Sequence, residues 1–174
     1  MAIAQTRKMI YLGLMVGLAM GLHVFEMMLP IPYLFPGAKL GLANIITLFV
    51  VINFGVKEAI IVSFLRTVLT SLLIGTFFNI TFFLSFSGAI VSALVMGLVY
   101  RVAKQHLSLV GISIIGALAH NIAQVAVASQ IVGTYGIFVY LPHLLFFSLP
   151  TGLFVGMVTR QMNKHYQTKT HFAH

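Results

Sequence analysis

The sequence has 174 residues, of which 60% are hydrophobic and 7% are charged, and its mean hydropathy is +1.05. A soluble domain carries roughly a quarter charged residues, so this composition argues against a soluble protein and predicts an all-α integral membrane protein. Cys is absent, which excludes disulfides and thiolate metal sites. Glu26 and Glu58 are the only acids, so the chain offers neither paired carboxylates for proton transfer nor an Asp cluster that holds magnesium against a diphosphate.

Six apolar segments follow one another in the chain. We predict transmembrane helices at residues 9–29, 39–54, 56–77, 79–100, 109–131 and 140–162, joined by turns and loops. The first segment is too long for a secretory signal peptide and lacks a convincing cleavage site, so we interpret it as helix 1. The sequence thus predicts a single membrane domain over residues 1–174, a six-transmembrane-helix bundle in the cell membrane, with a polar, basic tail at 163–174 that frays.

The basic residues predict the orientation of this bundle. One face carries most of the Lys and Arg residues, whereas the opposite face carries Lys39 alone. The crowded face consists of Arg7, Lys8, Lys57, Arg101, Lys104, Arg160, Lys164 and Lys169. Because cytoplasmic loops are enriched in Lys and Arg, we expect both termini to be cytoplasmic. The net charge of +8 then reflects membrane topology, and we expect no nucleic-acid partner.

Polar side chains of several predicted helices fall in the outer half of the bundle. We predict a substrate-binding site there, made of Glu26, Lys39, Asn44, Arg66, His120, Asn121 and Gln124. Polar groups that converge in an apolar protein are typical of a binding site, and here the basic groups outnumber the acid. A small amphipathic anion would fit, its apolar part covered by Phe77, Phe78, Phe82, Phe83, Tyr135 and Tyr140. We predict no catalytic residue, metal ligand or cofactor.

Each of these groups also has a simpler interpretation. A single intramembrane His or Asn more often joins helices through hydrogen bonds than touches a ligand. Arg66 and Glu26 could form a purely structural ion pair. A metal site made of His23, Glu26, His120 and His143 would suit zinc or nickel, although the neighbouring basic residues would repel a cation.

A strip of glycines runs along predicted helix 1. Gly13, Gly17 and Gly21 follow one another at four-residue spacing, so they share one face on which another helix can approach closely. Packing within the bundle, docking of a partner subunit and formation of a homodimer all use such a face. The pattern alone does not choose among them.

Several stretches, in order, resemble one small membrane family. They are Glu26 with the Pro-rich loop after it, the run Pro-Gly-Ala-Lys-Leu-Gly-Leu-Ala-Asn at 36–44, Arg66, Gly75 with Thr76, Leu84 with Ser85, Gly88 with Ala89, and the segment 111–124 with its Gly-Ile-Ser-Ile-Ile-Gly-Ala and His-Asn-Ile-Ala-Gln runs. From about residue 9 to 160 the chain resembles heptaprenyl diphosphate synthase component I, also called the Gx transporter family.

The resemblance implies one of two functions. The family's older name implies a non-catalytic membrane subunit associated with a polyprenyl diphosphate synthase. The other assignment implies a substrate-binding S component of an energy-coupling factor (ECF) transporter, which hands a vitamin or related precursor to a coupling transmembrane subunit and two ATPase subunits. Prenyl synthases hold diphosphate through magnesium on Asp-rich motifs, and this chain has no Asp. Since it also lacks a Gly-x-x-x-x-Gly-Lys-Ser/Thr phosphate loop, transport would draw its energy from those partners, and we favour the S component.

The same resemblance implies roles for particular residues. S components of this class dock on the coupling subunit through small residues of helix 1, which matches Gly13, Gly17 and Gly21, although the usual small residue is Ala. The family's link to prenyl and quinone biosynthesis implies an isoprenoid- or quinone-related ligand, enclosed by the loops at 30–38 and 131–142. A nickel or cobalt S component would carry His beside the initiating Met, whereas position 2 here is Ala.

Overall fold

The computed structural model describes residues 2–29 and 41–171. These residues form six α-helices and one short 3-10 helix, Tyr135–Tyr140, without any strand in the described ranges. The α-helices are α1 (Ala2–Met28), α2 (Leu42–Asn53), α3 (Val56–Ile74), α4 (Ile80–Ala103), α5 (Leu109–Val132) and α6 (Leu141–His171). The predicted all-α fold is confirmed.

Short polar residues and glycine set the ends of the helices. The Asn79 side chain accepts the Ile80 N–H at 2.7 Å and starts α4, while the Ser108 hydroxyl accepts the Gly111 N–H at 3.2 Å and starts α5. At the end of α3, Gly75 has a φ of 76°, a left-handed conformation that glycine adopts without strain. The six predicted segments correspond to these helices in order, because hydrophobic runs and turn residues carry most of this information.

The basic tail is the clearest difference from the sequence prediction. Residues 163–174 were expected to fray, but α6 continues to His171. Two contacts with α2 accompany this extension. Asn53 Nδ2 donates to Asn163 Oδ1 at 3.0 Å, and the Tyr166 ring meets Phe49 edge-on at a centroid distance of 5.4 Å. Residues 163–171 therefore continue α6, with Asn163 and Tyr166 in contact with α2, and the prediction of a frayed tail was wrong over this range.

The helices run up and down between two ends of the bundle. At one end, here called the basic end, Lys8 of α1 forms an ion pair with Glu58 of α3, and Asn53 meets Asn163. At the opposite end, here called the pocket end, Glu26 of α1 meets the beginning of α2 at Gly41. Lys8, Lys57 and Glu58 thus lie near the starts of α1 and α3, whereas Arg66 lies near the middle of α3.

Helix α2 lies in the core although it is the shortest of the six. Every residue from Leu42 to Val51 is buried, and α2 contacts α1, α3, α4 and α6. Its 12 residues span about 18 Å at 1.5 Å per residue, well short of the roughly 30 Å hydrocarbon core of a bilayer. The other helices therefore shield it from lipid, which allows it to carry polar groups such as Asn44 and Thr47.

Within the part of the chain that the structure describes, four segments are long and apolar enough to cross a membrane, namely Gln5–Met28, Ile80–Ala103, Leu109–Val132 and Tyr135–Thr168. The protein is accordingly a multi-pass membrane protein. Helix α2 is too short to meet the same criterion, and α3 carries Lys57, Glu58 and Arg66 within 19 residues. The presence of six helices is confirmed, while six complete spans and cytoplasmic termini stay predictions.

Candidate functional site

Glu26 caps the N-terminus of α2. Gly41, the residue before this helix, has a φ of 68°, and its N–H donates to Glu26 Oε1 at 2.7 Å, while the Leu42 N–H donates to Glu26 Oε2 at 3.0 Å. The first N–H groups of a helix have no partner inside the helix, and a negative charge is stabilising there. Since both carboxylate oxygens are occupied and Glu26 is 7% exposed, this predicted site residue acts as a helix cap across two helices.

Arg66 is buried and bonded to a neutral partner. Its side chain is 4% exposed, and its Nη2 donates to Asn44 Oδ1 at 3.0 Å. Its Nε has no hydrogen-bond partner in the described part of the chain. A buried charge is costly unless it is paired and fully hydrogen-bonded. The structure thus brings together Arg66 and Asn44, as predicted, but leaves the guanidinium incompletely satisfied.

The alternative in which Glu26 neutralises Arg66 by direct contact is not what the structure shows. The two charges attract each other through space, but Lys8–Glu58 is the only ion pair within residues 5–29 and 41–168. Glu26 and Glu58 are the only acidic side chains in the sequence. The Glu26 carboxylate accepts the Gly41 N–H, and the Glu58 carboxylate pairs with Lys8. No acidic side chain therefore contacts Arg66.

A pocket lies between α2, α5 and α6, next to the Arg66–Asn44 hydrogen bond. Its lining consists of Gly41, Asn44, Ser113, Ala117, His120, Asn121, Thr151 and Val155. Five of the eight lining residues carry polar side chains, in contrast to the apolar helices around them. Asn44 is the link between the two features, because it accepts the bond from Arg66 and also lines the pocket.

The predicted residues of α5 divide into different roles. His120 lines the pocket, and its ring lies so close to Gly88 of α4 that an added Cβ there would be 2.7 Å from the ring. Asn121 also lines the pocket, but its amide nitrogen donates to Leu144 O at 3.1 Å and to Ser148 Oγ at 2.8 Å, and so joins α5 to α6. Gln124 is buried outside the lining. Lys39 lies outside the described residues.

Two further expectations change in the structure. The phenylalanines expected to cover a ligand pack on one another, with Phe77 and Phe78 at a ring distance of 4.3 Å, and none of them lines the pocket. Tyr135 and Tyr140 are exposed. Among the described residues no group of three His or acidic side chains is placed to hold a metal ion.

Ser113 and Thr151 line the pocket but were not among the predicted site residues, because isolated Ser and Thr residues are frequent in membrane helices.

The chain matches the heptaprenyl diphosphate synthase component I family over residues 15–162. The protein belongs to this family. No curated protein and no solved structure matches the chain significantly. The matched range begins within α1 and ends within α6, so it contains the pocket, Arg66 and Glu26.

In this member of the heptaprenyl diphosphate synthase component I family, the glycines of α6 and those of α1 have opposite environments. On α6, a Cβ added at Gly152 or Gly156 would lie 2.6 or 2.5 Å from the Cα atoms of Ile114 and Val110, so α5 and α6 approach closely there. On α1, a Cβ added at Gly13, Gly17 or Gly21 would meet nothing within 4 Å. The α1 strip is therefore not used for packing among the described residues.

Proposed function

We propose that this protein is the substrate-binding S component of an ECF transporter. It would capture a small amphipathic anion, related to an isoprenoid or a quinone precursor, from outside the cell. It would then deliver the anion to a coupling transmembrane subunit that works with two ATPase subunits. The observation that carries this proposal is Arg66, a buried cation that no acidic side chain contacts.

The hydrogen bonds of Arg66 support an anionic ligand. A guanidinium has five N–H donors and is charged at any physiological pH, whereas among the described residues Arg66 donates one bond to the Asn44 amide and its Nε has no partner. A carboxylate or phosphate would complete both the charge balance and the hydrogen bonds. The polar pocket beside Asn44 gives such a ligand a place to extend into the bundle.

The open face of α1 supports a partner subunit. Small residues at four-residue spacing favour close helix contact in membranes, and Gly13, Gly17 and Gly21 are exposed. The close-packed glycines of the bundle lie instead on α6. Since the sequence has no phosphate-binding loop, ATP hydrolysis would belong to the partners.

The family name favours a second candidate, a membrane subunit associated with a polyprenyl diphosphate synthase. In that case the partner would supply the Asp residues and magnesium for the diphosphate, because this chain contains no Asp. The two candidates differ in the protein that co-purifies. A coupling subunit with ATPases supports the first, and a soluble prenyl synthase that gains activity when this chain is added supports the second.

The experiment that tests the anion site compares Arg66→Met with Arg101→Met, which removes an exposed Arg at the end of α4. Each protein is purified gently, and the small molecules it retains are identified by mass spectrometry. We expect an anion to be retained by the unmutated protein and by Arg101→Met. Arg66→Met should lower its affinity by about 100-fold, because a charge-assisted bond in a desolvated site is lost.

Thermal unfolding of the same proteins gives a second measurement. Without ligand, Arg66→Met should be at least as stable as the unmutated protein, because it removes an expensive buried charge. Equal retention of the anion by Arg66→Met would remove Arg66 from the site. A large loss of stability without ligand would instead indicate that Arg66 holds the fold together.

A further inference from the structure

Ser113 carries a buried hydroxyl that faces the pocket without a partner. The side chain is 2% exposed and lines the pocket, and its Oγ has no hydrogen-bond partner among the described residues. Hydroxyls in membrane helices ordinarily bond to a carbonyl one turn earlier. Thr67 and Ser148 of this chain do so, with distances of 2.8 Å to Ser63 O and 2.8 Å to Leu144 O. Ser113 lacks the bond that these two residues make.

Three other polar side chains of the lining already have hydrogen-bond partners. The Asn121 amide nitrogen donates to α6, and Thr151 Oγ1 donates to Phe147 O at 3.0 Å. Asn44 Oδ1 accepts from Arg66. A buried hydroxyl with no partner is costly, so a hydrogen-bonding group that enters the pocket would be stabilised by Ser113.

The size of the pocket limits what can reach Ser113. The space open to the centres of water-sized molecules is about 20 Å³, and one water molecule needs roughly 10 to 15 Å³ on this measure. An oxygen-bearing group of a ligand fits this space, whereas its apolar body does not. Arg66 does not line the pocket and is linked to it through its bond to Asn44, so an anionic group that binds Arg66 and the group at Ser113 are different parts of the ligand.

We infer that the ligand carries a neutral hydroxyl or carbonyl group besides its anionic group, and that Ser113 Oγ binds this oxygen in the pocket between α2, α5 and α6. The inference rests on the proposed function and narrows its ligand class to hydroxy or oxo derivatives of amphipathic anions. Ser113 is then a specificity-determining residue, because a ligand without that oxygen leaves the hydroxyl unsatisfied.

The chain provides a matched control in Ser92 of α4. This serine is 0% exposed, and its Oγ also has no hydrogen-bond partner in the described ranges, but it does not line the pocket. Ser113→Ala and Ser92→Ala thus remove the same atom from equally buried positions. We expect both variants to fold and to match the unmutated protein in thermal stability without ligand.

The probes are two pairs of anions that differ in one hydroxyl, 4-hydroxybenzoate with benzoate and 3-hydroxy-3-methylbutanoate with 3-methylbutanoate. Binding to the full-length protein in lipid nanodiscs is measured by calorimetry. In at least one pair the hydroxylated member should bind about tenfold more tightly to the unmutated protein and to Ser92→Ala, because one buried hydrogen bond discriminates by that factor. In Ser113→Ala the preference should vanish, while affinity for the other member stays within about twofold.

The outcomes separate this inference from the proposed function. If the anions bind but Ser113→Ala keeps the preference, or the unmutated protein shows none, the inference is wrong and Ser113 bonds only to resident water. Equal loss of preference in Ser92→Ala also contradicts it, because the effect would then be general to the core. If none of the four anions binds to the unmutated protein, the proposed ligand class fails and the inference fails with it.

Discussion

Replacing Glu26 by Gln tests how the pocket wall is held. The carboxylate is 7% exposed and accepts the N–H groups of Gly41 and Leu42 at 2.7 and 3.0 Å. In Glu26→Gln one of these acceptor oxygens becomes an NH₂ donor, so one N–H faces another donor inside the bundle. The other N–H keeps its hydrogen bond, but the oxygen that accepts it no longer carries a negative charge. The perturbation therefore removes a charge-assisted bond while it leaves the size of the side chain unchanged.

The magnitude follows from these two changes. A hydrogen bond to a charged group contributes about 1.5 to 3 kcal/mol. The interaction of a negative charge with the N-terminus of a helix adds about 0.3 to 1 kcal/mol, or up to about 2 kcal/mol when it is partly buried. The free energy of unfolding should thus fall by about 2 to 4 kcal/mol. Glu58→Gln removes the only other acid, but its pair with Lys8 is partly exposed, with Lys8 45% and Glu58 18% exposed, so the loss there should be about 0 to 1 kcal/mol.

The assay follows helix content by circular dichroism while purified protein in mixed micelles is titrated with SDS. This signal suits the chain because Trp and Cys, the residues used by common fluorescence assays, are both absent. We expect a lower unfolding midpoint for Glu26→Gln and almost no change for Glu58→Gln. The reasoning is refuted if the two variants lose equal stability, or if Glu26→Gln is as stable as the unmutated protein.

Two other predictions concern α1 and the topology. Gly17→Leu should abolish co-purification with an ECF coupling subunit yet leave thermal unfolding unchanged, since a Cβ added at Gly17 meets nothing within 4 Å. Gly152→Leu should unfold the bundle, because the α5 backbone lies 2.6 Å from the added Cβ. Unfolding of Gly17→Leu would contradict the open glycine strip. Single Cys residues at Lys104 and Thr134, which flank α5, should react with a membrane-impermeant reagent in intact cells only at position 134. Labelling of both positions from the same side would end the proposed topology.

The sequence predicts the helices and part of the site for one physical reason. Apolar runs long enough to cross a bilayer are easy to recognise, and polar residues inside them are rare, so Arg66 and Asn44 stand out in the sequence itself. Their hydrogen bond confirms that the two residues lie together. The tail after residue 162 was misjudged because its stability comes from contacts with α2, and such contacts leave no periodic pattern in a polar segment.

The roles of individual polar residues could not be predicted in the same way. Glu26 acts on backbone N–H groups of residues 41 and 42, and backbone donors are invisible in a sequence pattern. Asn121 and Gln124 lie three residues apart on α5, yet one lines the pocket and the other does not. Helical periodicity gives a direction to within about a third of a turn, which is too coarse to separate a pocket-lining side chain from a neighbour buried between helices.

Both acidic residues of the chain hold α1, one at each end. Glu58 meets Lys8 at the basic end, and Glu26 joins the far end of α1 to the beginning of α2. Helix α1 carries the open glycine strip, while α2 begins at the pocket, where Asn44 holds Arg66. Under the proposed function, a partner that shifts α1 would pull on the pocket wall through the two hydrogen bonds of Glu26. Partner docking and anion binding would then be coupled through a single carboxylate, which explains why an acid is placed inside so apolar a bundle.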